Sequence, residues 1–227
     1  MDFDGFACKR KQKALVLENR VTVSLTYAQT LRLLASVHSV SDAKLVAFRG
    51  RLQHFQRLGF PPGVNTGRGR AAIYGPAELM NLLVAFEMLQ LGMTPERIKR
   101  VLTLDQPMVI IAAAFGAMGV LDKVEPRKHL LLCVDPVALS ALIESSEPDD
   151  PSSRSLFYMD GGSLARSVAE RGMAGTRVCA INCTLLLKQV AIILEEAGII
   201  DSSSFLAAIL AWTQSFDWDV FQVDPGA

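Results

Sequence analysis

The sequence predicts a mostly helical fold with α+β character, and three observations carry that reading. Apolar residues recur at spacings of three and four through most of the first half; glycines and prolines punctuate them; and in the second half short apolar runs precede helical patterns. A chain of 227 residues can bury one large core or two small ones, and the change of character after Leu104 favours two. Half the residues are hydrophobic and a fifth are charged, the composition of a folded globular protein and far from that of a disordered one.

Residues 1–20 read as a basic arm, with the run Cys8-Lys9-Arg10-Lys11-Gln12-Lys13 followed by a possible short strand, Ala14 to Val16. From Thr26 the period becomes helical. Thr26 is placed to cap a helix from Tyr27 to Val37 whose inner face carries Tyr27, Thr30, Leu31, Leu34 and Ala35. His38 to Ser41 is a polar turn. Ser41 or Asp42 then opens a second helix with Leu45, Phe48, Leu52, Phe55 and Leu58 on one face, stopped at Gly59 and two prolines. Phe60 to Gly75 reads as a turn-rich hairpin ending in the strand Ala71 to Tyr74. Pro76 suits the first turn of a third helix through Gln90, with Leu79, Leu82, Leu83, Phe86 and Leu89 buried. Gly92 ends it, and Thr94-Pro95-Glu96 starts a short fourth helix to Leu102.

Beyond Leu104, the run Met108 to Leu121 is predicted to be a buried helix, since it falls short of the roughly 20 residues of a bilayer span. His129–Val134, Leu156–Met159 and Val178–Ile181 look like strands, each followed by a helical pattern: Pro136–Ile143, Ser163–Arg171 and Thr184–Ala197. That alternation suggests a small α/β layer. Glu144 to Arg154 reads as a loop, and Ser203 to Ser215, with Phe205, Ile209 and Trp212, as a last helix.

The net charge of zero conceals an asymmetry. Residues 1–104 hold 15 Lys and Arg against 7 Asp and Glu, and residues 105–227 hold 8 against 16. A basic module joined to an acidic one suits a nucleic-acid reader with a separate partner-facing part, because only one module has to neutralise phosphates. Four cysteines make no disulfide framework in a chain of this length, and no signal peptide is read at the N-terminus, so a reducing, cytoplasmic setting is expected.

Three short segments bear a family likeness. Leu52-Gln53-His54-Phe55-Gln56-Arg57-Leu58-Gly59-Phe60, then Arg70-Ala71-Ala72-Ile73-Tyr74-Gly75-Pro76-Ala77-Glu78-Leu79, then Leu91-Gly92-Met93-Thr94-Pro95-Glu96-Arg97-Ile98 occur in the order found in MerR-type regulators. Residues Leu25 to Leu104 thus resemble the winged helix-turn-helix of the MerR family of bacterial transcription regulators. The second helix is longer than the family pattern, and Pro107 to Leu121 stands where a long coiled-coil helix usually follows. The resemblance implies a DNA-binding domain at 21–104 and leaves 105–227 as an acidic region that dimerises or binds a partner or ligand.

A helix with one apolar stripe leaves its other face free for the major groove. Lys44, Arg49, Arg51, Gln53 and His54 are the candidates there, for base edges or nearby phosphates. Arg68 and Arg70, among glycines, are the candidate wing contacts to phosphate or minor groove. Arg97, Lys99 and Arg100 are candidate backbone contacts, and Tyr74 a packing residue whose hydroxyl reaches a phosphate.

No catalytic constellation emerges. His38, His54 and His129 are scattered, and no nucleotide-binding glycine motif occurs, so neither an enzyme nor a cofactor is expected. Cys179, Cys183 and Cys133 invite a soft-metal reading, but their apolar context favours packing, and no metal is expected. The helix after Asn182, with Leu185, Leu186, Val190, Ile193 and Leu194, either pairs across a two-fold axis or fills its own core. The function expected is a sequence-specific, duplex-binding transcription regulator, homodimeric, with RNA polymerase or another regulator as a further partner and no membrane. An architectural or recombination factor that bends DNA is the first alternative, and a protein-interaction adaptor built on a winged helix is the second.

Overall fold

The computed structural model describes residues 23–64, 71–134, 156–169 and 179–216. The predicted basic arm at 1–20, wing contacts Arg68 and Arg70, helix 136–143 and loop 144–154 all fall outside the described residues. The fold is mostly α with α+β character, eight α-helices and two small sheets among the described residues.

Strand β1 (Leu25–Thr26) runs into helix α1 (Tyr27–Val37). Thr26 Oγ1 accepts from the Gln29 backbone N–H at 3.3 Å, and the Gln29 side chain accepts from the Thr26 N–H at 2.9 Å. This reciprocal cap fixes the helix start from local chemistry alone. A single 3-10 turn, Asp42–Lys44, precedes α2 (Leu45–Arg57), so the second α-helix starts later than Ser41 or Asp42 predicts, and no side chain caps it. Gly59, at φ +70°, ends α2: its N–H donates to Gln56 O and the Phe60 N–H to Phe55 O, both at 2.9 Å. Strand β2 (Ile73–Tyr74) pairs antiparallel with β1, Leu25 opposite Tyr74. The β1 half of this ladder was not foreseen from the sequence.

Helix α3 (Pro76–Gln90) opens with Pro76 and with the Glu78 carboxylate accepting from the Gly75 N–H at 2.9 Å. The pattern predicts one buried face, yet Leu79, Met80, Leu82, Leu83, Val84, Ala85, Phe86 and Met88 are all buried. A helix apolar on every side must be covered on every side. Helix α4 (Pro95–Leu104), α5 (Gln106–Leu121) and the C-terminal α8 (Ser202–Gln214) pack against α3 as well as the N-terminal elements, making it the central helix. A single cluster of buried side chains runs from Val23 to Ile209.

Strands β3 (Leu130–Val134), β4 (Leu156–Asp160) and β5 (Cys179–Asn182) form a sheet in the order β4-β3-β5, both pairings antiparallel. With the helices that cover it, this sheet is the small α/β layer suggested by the strand-helix alternation, its pairing antiparallel. β4 and β5 are parallel to each other, with α6 (Gly161–Ala169) between them in sequence, but β3 is inserted between them, giving a split β-α-β unit. Helices α5 and α7 (Cys183–Glu196) cover β3.

Small residues let α5 and α7 approach closely. A Cβ on Gly116 would lie 3.1 Å from Leu187 Cδ1 and 3.2 Å from the Cys183 carbonyl, and one on Gly119 would lie 3.2 Å from Thr184. Thr184 Oγ1 accepts in turn from the Leu130 N–H at 3.0 Å, tying α7 to β3. Cys133 and Cys183 are buried free thiols, and burial pushes them up to about 11 and about 12 respectively. Such thiols remain protonated and pack as small hydrophobes.

Candidate nucleic-acid interface

Helix α2 buries Phe48, Leu52 and Phe55, so its opposite side defines what the fold offers to solvent. Val46, Arg49, Gly50, Gln53 and Arg57 are exposed there, at steps of three, four, seven and eleven residues from Val46. They form one stripe along two and more turns. Val46 is 83% exposed, an apolar residue left wholly to solvent in the middle of a polar face. Nothing lies within 4 Å of where a Gly50 side chain would be, so packing does not demand this glycine. Its effect is to leave bare backbone between Arg49 and Gln53.

The other predicted positions divide. Arg49 and Gln53 lie on the stripe. Lys44 and Arg51 are exposed but lie on a flank of the helix, Arg51 turned about 100° from Gly50, and they line a groove against the end of α3. His54, expected to face the groove of DNA, is instead engaged across to α4, its Nε2 2.9 Å from Glu96 Oε1. Lys99, exposed on α4, is likewise engaged: its ammonium donates to Leu58 O at 2.7 Å, capping the C-terminal end of α2 where carbonyls lack helical partners. These two contacts link α4 to the end of α2 and give both side chains a protein partner at the surface.

Tyr74 packs as expected, but its hydroxyl is a correction. The residue is fully buried, and the hydroxyl accepts from Gln56 Nε2 at 2.8 Å, so it fastens β2 to α2 and is not presented at the surface for a phosphate. Burial also raises its pKa above the usual phenol value of 10.0. Arg68 and Arg70 lie outside the described residues.

Residues 49–104 match the family model of the MerR HTH family regulatory protein. No curated protein matches the chain. The N-terminal part of the chain thus carries a MerR-like helix-turn-helix region. The MerR-like segment takes up about a quarter of the chain, from the second turn of α2 to the end of α4, and it includes every residue of the exposed stripe except Val46. Within it, Arg97 is partly buried and Arg100 exposed on α4, each the residue after one of the contacts at Glu96 and Lys99. Sequence reasoning missed Arg57, Val46 and Gly50 because it sought polar residues opposite the apolar stripe without following one spacing; the 46-49-50-53-57 pattern was there to read.

In the turn between α1 and α2 lies a histidine with a buried side chain. The His38 side chain is 4% exposed, stacks on Phe86 at 5.8 Å between ring centres, and holds Nδ1 3.6 Å from Glu87 Oε1. Burial lowers the His38 pKa below 6.5 and raises that of Glu87 above 4.5. The unfolded chain therefore protonates His38 first, and unfolding free energy falls as pH drops through 6.5. Glu87 acts with the opposite sign, since its stabilising contribution is present at low pH and is lost as pH rises above 4.5 through its folded value. Urea unfolding of wild type and His38→Gln at about pH 7.5 and about pH 5.5 separates the two: the wild type loses more stability on acidification than the variant. Equal losses would show that His38 is not desolvated.

Proposed function

We propose that this protein is a bacterial-type transcription regulator that binds double-stranded DNA through α2, and that it acts by binding, not by catalysis. The observation that carries the reading is the continuous exposed stripe Val46, Arg49, Gly50, Gln53 and Arg57 on a helix of the MerR-like segment. Such a helix fits the major groove, where guanidiniums read guanine or hold phosphates, an amide reads adenine, and an apolar tip meets the thymine methyl. Bare backbone at Gly50 permits close approach. Arg68 and Arg70 then act in the wing, reaching phosphate or minor groove. The basic N-terminal portion supplies the electrostatic attraction, while the acidic remainder serves a homodimer, RNA polymerase or another regulator in the cytoplasm at the nucleoid. An architectural or recombination role uses the same surface, and footprinting at a promoter discriminates it.

Fluorescence anisotropy with randomised duplex across a salt series tests the reading. Wild-type affinity falls steeply with salt, and Arg49→Ala/Arg57→Ala binds more weakly, with the slope of log K against log salt shallower by about 1 for each phosphate that the variant no longer neutralises. Arg68→Ala/Arg70→Ala gives the same direction if the wing contributes. Absence of duplex binding at low salt would make the helix-turn-helix a protein-binding platform.

A further inference from the structure

A groove of about 530 Å³ runs between the turn after α1, the flank of α2 and the last turn of α3. It opens beside the Val46–Arg57 stripe, not on it. Phe48 and Phe86, both buried and with their rings inclined by 45°, lie at its base with the half-buried Leu89, giving an apolar floor. Lys44 and Arg51 stand at the rim, seven residues apart and so about 10 Å along the helix. Ser39 and Ser41 border the same opening, and none of the described residues lining it is acidic. Ser39 is held at φ +51°, a helix-ending conformation for which glycine is the relaxed choice, and the side chain retained there carries a hydroxyl.

These features specify an occupant. An apolar floor with few polar groups is the ordinary make-up of a small-molecule site, and the volume lies within the roughly 300–1,000 Å³ of such sites. Two cations with no acid nearby in the lining select an anion, and arginine favours a carboxylate because its planar donors match both oxygens. We propose that this groove binds a small organic carboxylate with an apolar body, the carboxylate held by Lys44 and Arg51 and the body set against Phe48, Phe86 and Leu89. The occupant touches the turn, α2 and α3 together, so it fixes the angle at which α2 stands. Only that last consequence rests on the DNA-binding reading; the binding itself does not.

The test uses the full chain, 15N-labelled, with 2-naphthoate as probe. Neutral 2-naphthamide, 2-naphthylmethylamine and inorganic phosphate are the comparisons. 2-Naphthoate shifts the amide signals of Ser39, Val40, Ala47 and Leu89 and raises the melting temperature. The amide and the amine bind at least about tenfold more weakly, as does 2-naphthoate to Lys44→Met/Arg51→Met, which keeps the apolar stems and melts with the wild type. Arg49→Ala/Arg57→Ala leaves 2-naphthoate binding unchanged, so failure of DNA binding and failure of this site read out separately. The proposal is overturned if 2-naphthamide binds as well as 2-naphthoate, if the Lys44/Arg51 variant retains affinity, or if millimolar 2-naphthoate shifts nothing. Inorganic phosphate giving the same shifts with equal affinity would also overturn it, by assigning the rim to a phosphate and the floor to no ligand.

Discussion

Phe55→Ala will lower the unfolding free energy by about 3–5 kcal/mol, the cost of removing a fully buried aromatic ring and leaving the space unfilled. Phe55 has no exposed surface, and its ring meets Phe60 at 5.6 Å and Phe86 at 5.8 Å between centres. Those contacts join α2, the turn that follows it and the central helix α3. Collapse around the gap is limited because Phe60 is held by the helix-ending bond to Phe55 O and Phe86 lies on a helix packed on all sides. Urea unfolding reads the change as a lower midpoint at an unchanged slope. Val46→Ala on the exposed stripe is the control, with an effect within about 0.5 kcal/mol of zero. A Phe55→Ala loss as small as that control would mean that α2 is not seated on α3 as described.

The second large effect is expected at Gly116→Val, on the contact between α5 and α7. Glycine in a helix interior costs about 1 kcal/mol relative to alanine, so a side chain at this position starts with a propensity gain. Steric contact opposes it. The first added carbon already lies 3.1–3.2 Å from Leu187 and from the Cys183 carbonyl group, and a backbone carbonyl cannot swing aside as a side chain can. The two further methyls of valine decide the sign, and a net loss of about 1–3 kcal/mol is expected. Serine or alanine at the same position will lie between glycine and valine. Chemical denaturation ranks the series, and a Gly116→Val protein as stable as wild type would refute the close approach of the two helices.

Local chemistry was the legible part of this chain. Tyr27–Val37 and Pro76–Gln90 were bounded from sequence because Thr26, Gln29, Pro76 and Gly92 act within one turn of the ends they fix. Partners far along the chain were not legible. His54 read as a groove-facing side chain and Lys99 as a backbone contact to DNA, yet their partners here, Glu96 and Leu58, lie 42 and 41 residues away. Tyr74 read as a packing residue, but its hydroxyl was assigned to a phosphate because Gln56, its partner, lies on another element. The second apolar side of α3 and the insertion of β3 between β4 and β5 belong to the same class, since periodicity records which residues seek cover and not what covers them. The exposed stripe of α2 was recoverable, because solvent exposure on a helix follows from spacing alone once the buried face is known.

The all-round burial of α3 bears on how the reading head could ever be separated from the rest. Part of its cover comes from α5 and α8, and α1 is also held by α7, where Gln189 Nε2 donates to Val37 O at 3.1 Å. A polypeptide cut after Leu104 would keep both helices of the turn motif and the stripe, but would expose the apolar flank that the later helices hide. The fragment would be a poor excision: prone to self-association and loosened at the helix on which α2 rests. The family match marks where the recognisable pattern ends, whereas the buried core of the described residues continues through α5, α7 and α8, so a displacement of those helices has a packed route to α3 and α2.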